Sequence, residues 1–125
     1  MTYANGNVYE GHWVNDLKHG RGTMTVPTQF VYEGDFQDDL RNGQGSCVYT
    51  NGDVYNGHWA NDKKSGNGKY SHGSRGDVYE GEWADNLKHG PGKYTHSVYI
   101  IIIIITITNH HYYYHHHYYY HHHYY

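Results

Sequence analysis

Residues 9–22 read YEGHWVNDLKHGRG, and residues 79–92 read YEGEWADNLKHGPG. A catalytic site needs one constellation of unlike groups, whereas a near-copy within one chain marks a unit that is stacked. Aligned on their Tyr-x-Gly triplets, Tyr9, Tyr32, Tyr55 and Tyr79 lie 23, 23 and 24 residues apart. Two residues on come Gly11, Gly34, Gly57 and Gly81; four residues on come Trp13, Phe36, Trp59 and Trp83. Further along come two glycine columns, Gly20, Gly43, Gly66 and Gly90, then Gly22, Gly45, Gly68 and Gly92.

The unit reads as a β-hairpin. In VYEGHW, Tyr9, Gly11 and Trp13 fall on alternate positions, so a strand places them on one face and Glu10 and His12 on the other. In HGRGTMT, Gly20 and Gly22 alternate as a second strand would require. Between the strands lies VNDLK, whose Asn and Asp tolerate left-handed backbone in a tight reversal. Glycine within a strand marks the close approach of another group, which suggests that the bare glycines leave room for Tyr and Trp rings. A single hairpin is marginal in water, so successive units must bury a shared aromatic stripe.

Composition agrees. Tyr supplies 17 of the 125 residues and Gly 16, which favours β-structure and turns and opposes long helices. A chain of this length forms one small domain at most. The formal charge of −3 exerts no strong pull on nucleic acid, and no nucleic-acid partner is expected. The single cysteine, Cys47, excludes an internal disulfide and a CxxC metal knuckle, and reads as an ordinary half-buried thiol. The N-terminus MTYANGNVYE is too polar for a signal peptide, which is compatible with a cytoplasmic protein.

The links between units carry turn signals. YANGNVY at Tyr3 and YTNGDVY at Tyr49 contain Asn-Gly, the strongest hairpin dipeptide. TVPTQFVY has Pro27 instead, and SHGSRGDVY is one residue longer, so both should be local irregularities. Tyr3 to Tyr9 matches Tyr49 to Tyr55, so residues 1–8 read as the second strand left over from a preceding unit. Four units follow at 9–31, 32–54, 55–78 and 79–99, with a tail at 100–125. A fifth unit would need Tyr and Gly where Ile102 and Ile104 stand, which suggests a piece of a longer array or a damaged gene model.

Tyr-x-Gly-x-Trp, a turn, then His-Gly-x-Gly resembles the MORN repeat over residues 1–99. His19-Gly20 and His89-Gly90 match it fully; Phe36 replaces Trp, Asn42 and Ser65 replace His. Where the family favours a turn glycine stand Asp16, Asp39, Asp62 and Asn86, which can adopt the same backbone. The resemblance implies an all-β fold: an elongated, single-layer, twisted antiparallel sheet of successive hairpins. It further implies a non-catalytic scaffold that docks protein partners, without a cofactor and associated with cytoskeleton or membrane. Its alternatives are a phosphoinositide-binding attachment module, or an array flanking a lipid kinase or SET methyltransferase domain absent from this chain.

Candidate sites follow from the columns. His19 and His89 have Asn42 and Ser65 as counterparts, so a turn role outweighs a metal or catalytic one. Lys18, Arg41, Lys64 and Lys88 form a basic column about 10 Å apart from unit to unit. It reads as a solvated face, a protein-docking row or a grip for phosphoinositide head groups, with Asp16, Asp39 and Asp62 and the set Glu10, Glu33 and Glu80 opposing the last. The Tyr and Trp residues read as core, or as core doubling as a partner-binding groove. Unpaired strand edges at both ends make end-to-end self-association a further expectation.

The tail, YIIIIIITITNHHYYYHHHYYYHHHYY from Tyr99, lacks charged side chains. Its apolar run of about ten residues is too short for a membrane helix, which needs about 20. Ile100 to Ile105 could prolong a strand and form an aggregation hazard. The His/Tyr blocks read either as a weak metal-binding tract or as a translated nucleotide repeat without selected function, and no metal ligand set follows from them.

Overall fold

Every hairpin reverses on two residues with left-handed backbone: Asn15 and Asp16 (φ 50° and 62°), Asp38 and Asp39 (47° and 71°), Asn61 and Asp62 (49° and 69°), Asp85 and Asn86 (48° and 68°). Two successive positive φ values give a turn whose twist matches that of the strands it joins, and Asn and Asp carry them at low steric cost. The structure is a computed structural model that describes residues 1–96. The chain divides into two units, Met1–Thr95 and His96–Tyr125. Expectations for the isoleucine run and the His/Tyr blocks lie outside the described residues.

The first unit is one open antiparallel sheet. Its strands are β1 (Val8–Val14), β2 (Leu17–Val26), β3 (Phe30–Gln37), β4 (Leu40–Tyr49), β5 (Val54–Ala60), β6 (Lys63–Ser71), β7 (Val78–Ala84) and β8 (Leu87–Thr95). They lie side by side in sequence order, and the described residues include no helix. The all-β hairpin array is therefore as the sequence implies.

The hairpins carry a bulge that the sequence reading lacked. Trp13 pairs with Lys18 and Gly11 with Gly22, so His12 alone faces His19, Gly20 and Arg21. The same step recurs in the second, third and fourth hairpins. The two glycine columns therefore do different things, and the expectation of a regular alternation of Gly20 and Gly22 is corrected. Gly20 sits in the bulge at φ 76°, with open space around it: a Cβ there would meet only the His12 side chain, at 3.7 Å. Gly11 and Gly22 are instead pressed together. A Cβ on Gly11 would stand 2.5 Å from the Gly22 Cα and 2.6 Å from the Tyr9 hydroxyl. Only hydrogen fits, because the Tyr9 ring lies across the glycine pair.

The tyrosine is fastened there. Tyr9 donates its hydroxyl to the His12 carbonyl at 2.8 Å, Tyr32 to Asp35 at 2.8 Å, Tyr55 to His58 at 2.8 Å and Tyr79 to Glu82 at 3.1 Å. Each acceptor is the residue opposite the bulge. Tyr9, Tyr32 and Tyr55 each also meet two other rings edge-on, that of their own unit and that of the next. Centroid distances are 4.8 Å to Trp13 and 5.3 Å to Phe36 for Tyr9, 5.1 Å to Phe36 and 5.4 Å to Trp59 for Tyr32, and 5.1 Å to Trp59 and 5.4 Å to Trp83 for Tyr55. This edge-to-face geometry aligns the positive ring edge with a negative ring face. The rings thus form an unbroken zigzag that is the core. Cys47, paired with Tyr55, lies wholly within it rather than half-buried, and burial pushes its thiol up.

The links behave as local irregularities. Thr28, at φ 67°, does the work of a turn glycine after Pro27, and Val26 still pairs with Phe30. The longer link closes through His72 N–H to the Asp77 carbonyl at 2.8 Å and Gly76 N–H to the His72 carbonyl at 2.7 Å, leaving Ser71 paired with Val78. At the start, Thr2 bridges Val8, and Met1 and Tyr9 exchange backbone hydrogen bonds.

Gly22→Ala is expected to destabilise the protein by about 3 kcal/mol or more, since backbone and ring must both yield. Gly20→Asn, which suits positive φ and meets open space, is expected to change stability by about 1 kcal/mol at most. Urea unfolding of both variants checks this, and equal losses would refute the division of labour between the columns.

Candidate functional site

Three surfaces are candidates: the face bearing the rings, the opposite face, and the outer strand edges. Register sets the first. Lys18 pairs with Trp13, Arg41 with Phe36, Lys64 with Trp59 and Lys88 with Trp83, and residues paired across an antiparallel ladder share a face. The basic column therefore lies on the rings. Lys18 Nζ is 5.7 Å from the Tyr3 and Tyr9 centroids. The Arg41 guanidinium lies 4.4 Å from Trp59 and 4.9 Å from Phe30. Lys64 Nζ stands 5.5–5.8 Å from Trp83, Tyr55, Tyr70 and Tyr49, and Lys88 Nζ stands 4.6 Å from Tyr94 and 5.0 Å from Tyr79. Such distances place a cation over the negative face of a ring. Desolvation is the main reason that the Lys64 ammonium is pushed below its usual range; the nearby Arg41 adds to it and Cys47 opposes it.

The reading of this column as a solvated face is overturned for Lys18, Arg41 and Lys64, whose alternation turns them onto the aromatic layer. Lys88, on the last described strand, is exposed. The column also joins the units. Lys18 N–H donates to Asp39 Oδ1 at 2.8 Å, Arg41 N–H to Asp62 Oδ1 at 2.8 Å and Lys64 N–H to Asn86 Oδ1 at 2.9 Å. In return Asp39, Asp62 and Asn86 donate their backbone N–H to the carbonyls of Lys18, Arg41 and Lys64 at 2.9–3.1 Å. Lys18 and Arg41 add ion pairs of 3.3 Å and 3.1 Å to the same carboxylates. The Lys18 backbone N–H is the main cause holding the Asp39 carboxyl below its usual range. This use of the side chain explains why Asp and Asn stand where glycine would also fit.

A polar knot interrupts the ring face at the longest link. Asp53, buried, accepts the Tyr70 hydroxyl at 2.6 Å and the Gly73 N–H at 3.0 Å, and His72 Nδ1 stands 3.5 Å away. The Tyr70 hydroxyl leads in holding the Asp53 carboxyl below its ordinary value, with burial opposing. Desolvation and the same bond push the Tyr70 phenol up. Both oxygens of this carboxylate accept a hydrogen bond within the fold. His19 Nδ1 lies 4.0 Å from Asp38 Oδ1, and its counterpart Asn42 bonds Gln37 at 2.9 Å, as turn residues do. Among the described residues no three His, Cys, Asp or Glu side chains are grouped to hold a metal ion, and no helix is long and apolar enough to cross a membrane.

Tyr9, Tyr32, Phe36, Tyr55, Trp59, Tyr79 and Trp83 are buried in one another, with Tyr3, Phe30, Tyr49 and Tyr70 partly buried against them. The opposite face was not singled out from the sequence. Ladder pairing aligns Val8, Thr25, Val31, Val48, Val54, Ser71, Val78 and Thr95 into one row across all the described strands. At its centre Val31 is 41% and Val48 48% exposed. The neighbouring row holds Glu10, Glu33 and Glu80 together with Lys69 and Lys93. Its signal lies in the opening Val-Tyr-x-Gly, in which Val precedes every unit-defining tyrosine.

The family model for the MORN repeat matches residues 9–28, 32–54, 55–75 and 79–97, more than half of the chain. No curated protein matches it.

Arg41→Met is expected to lower stability by about 2 kcal/mol by removing a desolvated cation from its rings. Lys88→Met, at an exposed strand, is expected to stay within about 0.5 kcal/mol. Chemical denaturation compares them. A carboxyl depressed by folding contributes stability above its unfolded pKa, about 3.9, and loses it as pH falls through the folded value. Stability should therefore drop at acid pH through Asp53 and Asp39, and Asp53→Asn should flatten that limb in melts run against pH.

Proposed function

The chain belongs to the MORN repeat family, and from that membership we propose that it is a non-catalytic docking module that binds protein through the face opposite its rings. One observation carries this reading: the central valines Val31 and Val48 of a continuous row of Val, Thr and Ser stand exposed, while the rings and three of the four column cations are engaged with one another. A flat β-branched row flanked by charges of both signs suits an extended protein segment, whose apolar side chains take the row and whose charges fix its register. Attachment to phosphoinositide head groups would need a free basic column. Lys18, Arg41 and Lys64 lie over rings, and Lys18 and Arg41 also pair with Asp39 and Asp62, which weighs against that alternative.

Two measurements test the reading. In liposome co-sedimentation at about 150 mM salt, the protein is expected to stay in the supernatant with both neutral and phosphoinositide-containing vesicles. Pelleting with the anionic vesicles alone, reversed by high salt, would replace protein docking with membrane attachment. In affinity capture, Val31→Lys/Val48→Lys is expected to lose partners that the wild type retains, with an unchanged melting temperature. Identical partner sets would remove the valine row from the proposal.

A further inference from the structure

Three junctions between units are internal to the sheet, and all are built alike. A tyrosine receives the ring of the next unit, at 5.3 Å, 5.4 Å and 5.4 Å. A column cation's backbone N–H meets the side chain of the next turn's second residue, at 2.8 Å, 2.8 Å and 2.9 Å. Where the incoming ring is Trp, its indole N–H reaches a glycine carbonyl of the unit before: Trp59 to Gly45 at 3.2 Å and Trp83 to Gly68 at 3.1 Å.

The two ends of the sheet hold the two halves of a fourth such junction. At the β1 edge Trp13 is 39% exposed, where its counterparts Phe36, Trp59 and Trp83 are 4%, 1% and 6% exposed. Asp16, the counterpart of Asp39 and Asp62, has no side-chain partner among the described residues. At the other end the whole of β8 is exposed, and no described strand pairs with its outer edge. It offers the Tyr94 ring, 55% exposed and 5.0 Å from the buried Tyr79, with the Lys88 backbone and ammonium and the Gly92 carbonyl; Tyr70, the counterpart of Tyr94, lies 6.0 Å from the incoming Trp83. Pro91 does not spoil this edge. In the matching position Gln44 directs its N–H to Asp35 of its own hairpin, at 3.0 Å, so the donor that proline lacks belongs to the inner side.

We propose that copies of this chain associate head to tail, the β8 edge of one receiving the β1 edge and first turn of the next. Trp13 of the arriving copy stacks on Tyr94, which lies over Tyr79, and donates its indole N–H to the Gly92 carbonyl, and its Asp16 accepts from Lys88. Met1 and Thr2 already line Val8 and Tyr9, so the junction uses Glu10 to Asp16 against Lys88 to Lys93, in the register of the internal junctions. The contact joins unlike surfaces, so each added copy leaves one free end of each kind and association continues past two copies. It is independent of the valine row.

Sedimentation velocity of the full chain tests this with a head variant, Trp13→Glu, and a tail variant, Lys88→Glu. Wild type is expected to grow past the dimer as concentration rises, each variant alone to remain a monomer, and a 1:1 mixture to stop at the dimer, because each variant keeps one good end. Asp16→Gly, which fits the left-handed turn, is a second head variant should Trp13→Glu fold poorly, and should shift growth to higher concentration. A monomeric wild type, a mixture that behaves as its separate components, or growth that persists in both variants would overturn the proposal. The last outcome would assign association to residues beyond 96.

Discussion

A tyrosine laid across two facing glycines is the constraint from which the rest of this sheet follows. The ring can lie flat only where both strands lack a Cβ, which fixes Gly11 against Gly22 and their equivalents. With the ring flat, its hydroxyl reaches the carbonyl of the residue opposite the bulge and holds the bulge open. Its faces and edges are then left for the rings of its own unit and the next, and it is buried by them. A single-layer sheet has no second layer to cover its apolar face. This one covers itself by lowering its aromatic side chains onto bare backbone.

The cations complete that cover. A lysine or arginine over a ring keeps its charge while its aliphatic stem excludes water from the rings beneath. Its backbone meanwhile exchanges hydrogen bonds with the neighbouring turn. One residue thus serves packing within its own unit and alignment with the next, and among the described residues the freely exposed large apolar side chains lie on the other face and on the outer strands.

Most of the fold was legible because tyrosine, tryptophan and glycine repeat at even spacings and the turns are marked by Asn and Asp. The bulge was not legible, for a geometric reason. It adds two residues to one strand, and adding two preserves which face every later side chain occupies. Gly20 and Gly22 therefore look interchangeable in an alternating pattern, and the positive φ of Gly20 and the Tyr9 ring over Gly22 separate them. The orientation of Lys18 and Arg41 could have been read by centring the turns on Asn15-Asp16 and Asp38-Asp39, which pairs each cation with an aromatic. Charge alone suggested solvent instead. The valine row was hidden differently: its members are ordinary strand residues, and only the ladder reveals that they form one line. Asp53 became a buried acceptor through the extra length of a link whose conformation no local pattern dictates.

Strands in this sheet pair only with their neighbours in the chain, and no described side-chain hydrogen bond spans more than 22 residues. Folding therefore closes only short loops, and stability is a sum over adjacent units. The same property has a meaning at the level of the gene. Unequal crossing-over between two copies of the 23-residue period removes or inserts a whole hairpin and rejoins a tyrosine to an equivalent incoming ring. An array of this kind can change length in one genetic event without any contact having to be reinvented, whereas a closed barrel or sandwich would have to be rebuilt.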